Sequence, residues 1–167
     1  METNKNIFLI GFMGCGKSTM ARILAEKTGA CLIEMDETIE KEAGMTINEI
    51  FKTFGEAHFR DLESQLILRI TEQGGAVVSC GGGAILRPEN VENMKKNGTI
   101  IYFSATPETI YERVRYSTNR PLLNGNMNVA YIFELMKKRL PLYEAAADVT
   151  IVVDGKEKKQ ILEELLN

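Results

Sequence analysis

Gly11-Phe12-Met13-Gly14-Cys15-Gly16-Lys17-Ser18 fits the pattern G-x-x-x-x-G-K-[ST]. No other feature constrains the fold as much, because the pattern works only at the turn between a buried strand and a helix. That context is present. Ile7 to Ile10 is a short apolar run, and from Ser18 to Thr28 the residues Met20, Ile23, Leu24 and Lys27 recur at helical spacing, with Gly29 placed to cap. Glycines let successive backbone N–H groups curl around an anion with no Cβ in the way, and the helix adds its positive end. The segment therefore reads as a phosphate-binding loop in which Gly14, Cys15, Gly16, Lys17, Ser18 and Thr19 hold the phosphates of a nucleotide. Lys17 can reach the β and γ phosphates, and the Ser18 hydroxyl can sit on Mg2+.

The remaining sequence alternates short apolar runs with helical patterns. Cys31 to Glu34, Ala76 to Cys80, Gly98 to Phe103 and Val149 to Val153 read as further strands. Between them, Asp36 to Phe54 predicts two short helices broken at Gly44, and Glu56 to Thr71 a longer one with Phe59, Leu62, Leu66 and Ile70 on one face. A helical stretch follows Pro88, Thr106-Pro107 forms an N-cap and first-turn pair for a helix toward Val114, and Lys156 to Leu166 predicts a final amphipathic helix. A helix from about Val129 to Tyr143 is expected to be disturbed near Pro141. Residues 115–128 are polar and aperiodic and read as a mobile surface loop. Five strands joined by helices imply parallel pairing, since a parallel connection needs a crossover of a dozen or more residues. The expected fold is three-layer α/β.

Length and composition narrow the function. At 167 residues the chain suits a single domain, residues 1–167. Its net charge of −3 gives no electrostatic case for nucleic acid or an acidic membrane. No run approaches the ~20 apolar residues that span a bilayer. Cys15, Cys31 and Cys80 are an odd number without paired spacing, which suggests neither disulfides nor a zinc site; they read as small core fillers in a reducing cytoplasm.

The loop alone does not choose among a kinase, a GTPase switch and an ATPase motor. Open α/β sheets bind ligands at the carboxyl ends of their strands, and three strands here end in the phosphate loop, in Glu34-Met35-Asp36 and in Gly81-Gly82-Gly83. No guanine-reading Asn-Lys-x-Asp segment is present. Val77-Val78-Ser79-Cys80 runs into glycine without the usual magnesium-orienting Asp, so Glu34 or Asp36 is expected to supply that acid. Taken alone, Asp36 could also cap the following helix, Arg60 could be a solvated helix residue, and Arg139, beside Lys137 and Lys138, could face water. His58, the one histidine, reads as structural.

Over essentially its whole length the chain resembles the shikimate kinases. The resemblance rests on GFMGCGKST at 11–19, the acids around Asp36 followed by GMTINEIF, GEAHFRDLE at 55–63, GGGA at 81–84, NRPLL at 119–123 and RLPLYE at 139–144. It implies a P-loop kinase fold, α/β/α with a five-stranded parallel sheet in the order 2-3-1-4-5. It implies transfer of the ATP γ-phosphate to the shikimate 3-hydroxyl, on the route to chorismate and aromatic amino acids. It also implies roles for residues. Asp36 would hold ring hydroxyls and act as base, and Gly81 and Gly82 would line the same pocket. Arg60 and Arg139 would clamp the carboxylate, a task suited to the planar guanidinium fork. Arg120 would cover the transferring phosphate from a lid at about 115–128, Arg113 would lie near the adenine, and helices at about 36–62 would bind the acceptor. Glu34 departs from the family's usual Asp at the metal position. A related gluconate-type kinase and a nucleotide-binding module without chemistry are the competing readings. A monomer is expected.

Overall fold

The computed structural model describes residues 4–115 and 128–167. The elements run β1 (Asn6–Ile10), α1 (Lys17–Thr28), β2 (Cys31–Glu34), α2 (Met35–Ala43), α3 (Ile47–Phe54), α4 (Glu56–Gln73), β3 (Ala76–Ser79), α5 (Pro88–Lys96), β4 (Gly98–Ser104), α6 (Pro107–Val114), α7 (Val129–Ala146), β5 (Val149–Val152) and α8 (Lys158–Leu166). All strand pairs are parallel, in the order β2-β3-β1-β4-β5. The expected sheet and its order are both present.

The register aligns the chemistry. Leu9 of β1 pairs with Ser79 of β3, and Glu34 of β2 pairs with the same Ser79, so three strands end level with one another. Parallel crossovers are right-handed, so connections running in opposite directions along the sheet place their helices on opposite faces. The β1-to-β2 connection runs one way and the later ones run the other. Accordingly α1 packs on β3 with α8 beside it, whereas α4 packs against α5, and α5 on β4. The reversal falls between β1 and β3, where open α/β sheets bind ligands. Phe8, Leu9, Ile10, Val78, Ile100 and Phe103 are buried at the centre of the core.

Most boundaries agree with the periodicity. Thr106 caps α6 by accepting from the Thr109 N–H, and Gly44 ends α2 in the left-handed region. Two expectations, at Pro141 and Cys31, are corrected, and the alternative reading of Asp36 as a cap is set aside. Helix α7 does not give way at Pro141 but continues to Ala146, because Tyr143 and Ala146 beyond the proline are buried. Glu34, in extended conformation, is the N-cap of α2, so Asp36 lies in its first turn and does not cap it. Cys31 is exposed at the start of an edge strand, unlike buried Cys15 and Cys80. The expected loop over 115–128, with Arg120, lies almost wholly outside the described residues.

Candidate active site

The loop after β1 turns through Gly11, Gly14 and Gly16, all at positive φ. At Gly14, with φ +81°, a Cβ would fall 2.5 Å from Val114 Cγ1, so neither backbone nor space admits another residue. Lys17 opens α1 with its side chain folded under the loop, Nζ donating to the carbonyls of Gly11 at 2.6 Å and Phe12 at 3.1 Å. The Cys15 N–H donates to the Phe12 carbonyl, and its thiol packs 3.7 Å from Lys17 Nζ, so this residue serves the loop from within. Thr19, Ser18 and Gly16 line a cavity of about 360 Å3, and Arg113 of α6 borders it. The Arg113 guanidinium lies 2.8 Å from where a Cβ on Gly16 would stand.

A set of oxygens lines the same cavity as Lys17. Ser18 Oγ faces Ser79 Oγ at 3.2 Å, and Glu34, from the end of β2, lines the same cavity. Burial raises the Glu34 carboxyl above its ordinary range with help from neighbouring Glu37, while Arg22 at 3.6 Å and the Ser18 hydroxyl pull it back. Hard oxygen donors of this kind suit Mg2+, which keeps waters and takes much of its coordination from phosphates. Ser18 and Glu34 fit the ion, and Ser79 is an oxygen that sequence reading did not assign. Its signal was its place: it ends the third strand where an Asp was sought.

A second cavity of about 560 Å3 adjoins the first and shares Met13, Asp36, Glu37, Gly81 and Gly82 with it. Its walls come from α2, α3, the first turns of α4 and α7, and it contains Arg60 and Arg139. The glycine run is the floor, and each glycine leaves space for named side chains. A Cβ on Gly81 would stand 2.8 Å from both Asp36 Oδ1 and Glu63 Oε2. One on Gly82 would stand 3.2 Å from Arg139 Nη1, and one on Gly83 2.6 Å from the Arg60 Cζ. Three consecutive glycines thus let two carboxylates and two guanidinium groups converge on one stretch of backbone.

The solvated reading of Arg60 does not hold. Its side chain is 12% exposed, packs over the Phe59 ring at 5.2 Å and pairs with Glu63 at 2.7 Å and Glu56 at 3.0 Å. Glu63 was missed by sequence reading. It is fully buried, and that burial raises its carboxyl above the usual range although Arg60 beside it opposes the shift. The available signal was a charge on an apolar stripe, since Glu63 lies four residues after Phe59 and three before Leu66, both buried. Arg60 Nε and Glu63 Oε2 are buried without a hydrogen-bond partner among the described residues, as expected where a polar ligand completes a site. Arg139 is half-buried and stands 5.9 Å over the Phe12 ring. Cys80 is buried with its thiol pushed well up, so it stays protonated and inert.

The arrangement is two adjoining chambers, one under the glycine-rich loop with Lys17 and Ser18, the other lined by Asp36, Arg60, Glu63 and Arg139. A shikimate kinase family model matches residues 13–167. The chain is 44% identical over 162 residues to the shikimate kinase of Thermodesulfovibrio yellowstonii, covering 97% of this chain and 93% of that protein. It is 45% identical to that of Persephonella marina, covering 97% of both. The structure of the Acinetobacter baumannii shikimate kinase in complex with shikimate superposes with a TM-score of 0.91 at 35% identity, covering 99% of this chain and 92% of that one. A gluconokinase from Sinorhizobium meliloti shares the fold at a TM-score of 0.59 and 18% identity. Gluconate-kinase likeness thus reaches the architecture alone, and the chain belongs to the shikimate kinase family.

Proposed function

We propose that this chain carries out its family's reaction with the two chambers in distinct roles: ATP over the phosphate loop, and shikimate between Asp36, Arg60, Arg139 and the glycine run. The chain is an ATP-dependent kinase that phosphorylates shikimate with Mg2+, in aromatic amino acid biosynthesis. The observation that supports this division is the meeting of two guanidinium groups and Asp36 on Gly81 to Gly83, beside a separate loop suited to phosphates.

In this reading the loop N–H groups and Lys17 hold the phosphates, and Lys17 turns from the Gly11 and Phe12 carbonyls toward the oxygens that gain charge during transfer. Ser18 and Glu34, with Ser79 behind Ser18, hold Mg2+. Held there, the ion would supply positive charge that offsets the negative charge of the phosphates. Arg60 and Arg139 grip the acceptor carboxylate, selecting an acid over a neutral sugar. Asp36, which borders both chambers, orients the acceptor hydroxyl and takes its proton as the oxygen attacks. Arg113 lies on the nucleotide side, near the base. Arg120 is the proposed cover for the transferring phosphate, within a lid at about 115–128 that limits ATP hydrolysis by water.

A net charge of −3 supports small-molecule partners over nucleic acid or an acidic membrane, and a monomer is the proposed state. No helix among the described residues is long and apolar enough to cross a membrane. Three free cysteines suit a reducing cytoplasm.

The test is ADP release from Mg-ATP with shikimate, gluconate, a nucleoside monophosphate or no acceptor. Release with shikimate alone is expected. Release with another acceptor would overturn the assignment of the second chamber, and release without acceptor would assign the chain to an ATPase.

A further inference from the structure

Tyr143 borders neither chamber, yet it touches the backbone and the side chain that shape the second one. It stands four residues after Arg139 on α7, hence on the same helix face. Its ring is 2% exposed and stacks on Tyr102 of β4, centroids 5.1 Å apart and planes 15° from parallel. Its hydroxyl donates to the Gly82 carbonyl at 2.5 Å. Burial pushes the phenol well above its usual range, although Arg139 beside the oxygen pulls the other way, so the donor proton stays in place. A phenol has one proton to give and lone pairs to offer, so one oxygen can hold Gly82 and face the Arg139 guanidinium together.

Pro141 gives this contact its significance. A proline within a helix removes the bond from its own nitrogen to the carbonyl four residues back, here Lys137, and that missing rung spans Arg139. The helix ladder is therefore weakest where it carries Arg139. One turn beyond Arg139, Tyr143 is a fixed point, stacked on the sheet and bonded to the glycine run.

We infer that Tyr143 is a positioning residue for the acceptor: its hydroxyl sets Arg139 against Gly82, and so sets the angle at which the guanidinium fork meets the substrate carboxylate. This rests on the reading of Arg139 as a carboxylate ligand. In Tyr143→Phe the ring and its stack remain and only the hydroxyl is lost. The KM for shikimate should rise between about two- and tenfold, the range one net hydrogen bond supports, with kcat and the KM for ATP within twofold of the parent. In a cycle with Arg139→Lys, the double variant should be little worse than Arg139→Lys alone, because the hydroxyl acts through the fork that lysine lacks.

An unchanged KM for shikimate, a parallel rise in both KM values, or additive losses in the cycle would each overturn the inference, whatever Tyr143→Phe does to the melting temperature. Failure of the underlying reading looks different: Arg139→Lys alone would then leave the shikimate KM unchanged.

Discussion

Arg60 Nη1 lies 2.7 Å from Oε1 of Glu63, and that carboxylate is closed off from solvent. Burial outweighs the attraction of Arg60 and raises the folded-state carboxyl above its unfolded value. A raised carboxyl means that the stability Glu63 contributes is complete below about pH 4.5 and is lost as pH climbs through the folded value. Glu63→Gln, which stays neutral, should match the parent in melting temperature below about pH 4.5 and exceed it increasingly as pH climbs from there through the folded value. The same variant should raise the shikimate KM, since Arg60 loses the partner that aims it. Melting curves across pH that converge at the alkaline end would contradict the assignment.

Gly83 tests the glycine floor. It lies outside the positive-φ region, so alanine brings no backbone strain there, but its methyl would stand 2.6 Å from the Arg60 Cζ. The far end of a flexible side chain can move aside. Gly83→Ala should therefore fold, keep its KM for ATP and lose shikimate binding by about ten- to a hundredfold, the scale of a lost charged hydrogen bond. Steady-state kinetics at fixed saturating ATP would show it, and an unaltered shikimate KM would mean that Arg60 does not grip the carboxylate.

Lys17→Met removes the cation from the phosphate loop and keeps most of the volume. Two buried carbonyls, those of Gly11 and Phe12, lose their donor, so modest destabilisation is expected. The chemical step should slow by about a hundredfold or more, as when one preorganised donor to a developing charge is lost. Single-turnover kinetics isolate that step from product release, and a near-parental rate would remove Lys17 from the mechanism.

Asp154 joins the end of β5 to the start of α6, accepting from the Thr106 N–H at 2.9 Å and the Thr106 hydroxyl at 3.2 Å. Burial opposes the charge, but these donors prevail and hold the carboxyl below its usual 3.8. A depressed carboxyl contributes stability above its unfolded value and loses it as pH falls through the folded one. Asp154→Asn should therefore melt below the parent at pH 7, with the gap closing on acidification below about pH 3.8. A gap that widens in acid would reverse the sign and refute the linkage.

The sheet was legible because its signals are local. Ile7 to Ile10 and Cys31 to Glu34 are short apolar runs bounded by glycine, acid or a helical pattern, and the loop between β1 and α1 carries a motif with one backbone solution. Lys17, Ser18, Asp36, Arg60 and Arg139 were reached by motif and resemblance, and the structure gathers all five around two adjoining cavities. What stayed hidden depends on long-range packing. The burial of Glu63 needs α4 laid beneath the glycine run, and the meeting of Ser79 with Ser18 spans 61 residues. The bond from Tyr143 to Gly82 spans the same separation. Pro141 misled because a local rule met a tertiary override: burial of Tyr143 and Ala146 carries the helix past a residue that weakens it.

Gly81 and Gly82 line both chambers beside Met13, Asp36 and Glu37, so part of the wall between the chambers is bare backbone. That stretch has no rotamers. It is also pinned at three points: the Cys80 N–H on the Leu9 carbonyl, the Ala84 N–H on the Gly81 carbonyl, and Tyr143 on Gly82. The position of the glycine run is thus set by the sheet on one side and by Tyr143 on the other, a fixed gauge for the spacing of the two chambers. Glu40, Asn48 and Phe51 line the second chamber away from that stretch, and they are places where the shape offered to an acceptor can vary. Such changes would alter which molecule the second chamber admits while leaving its spacing from the first as it is.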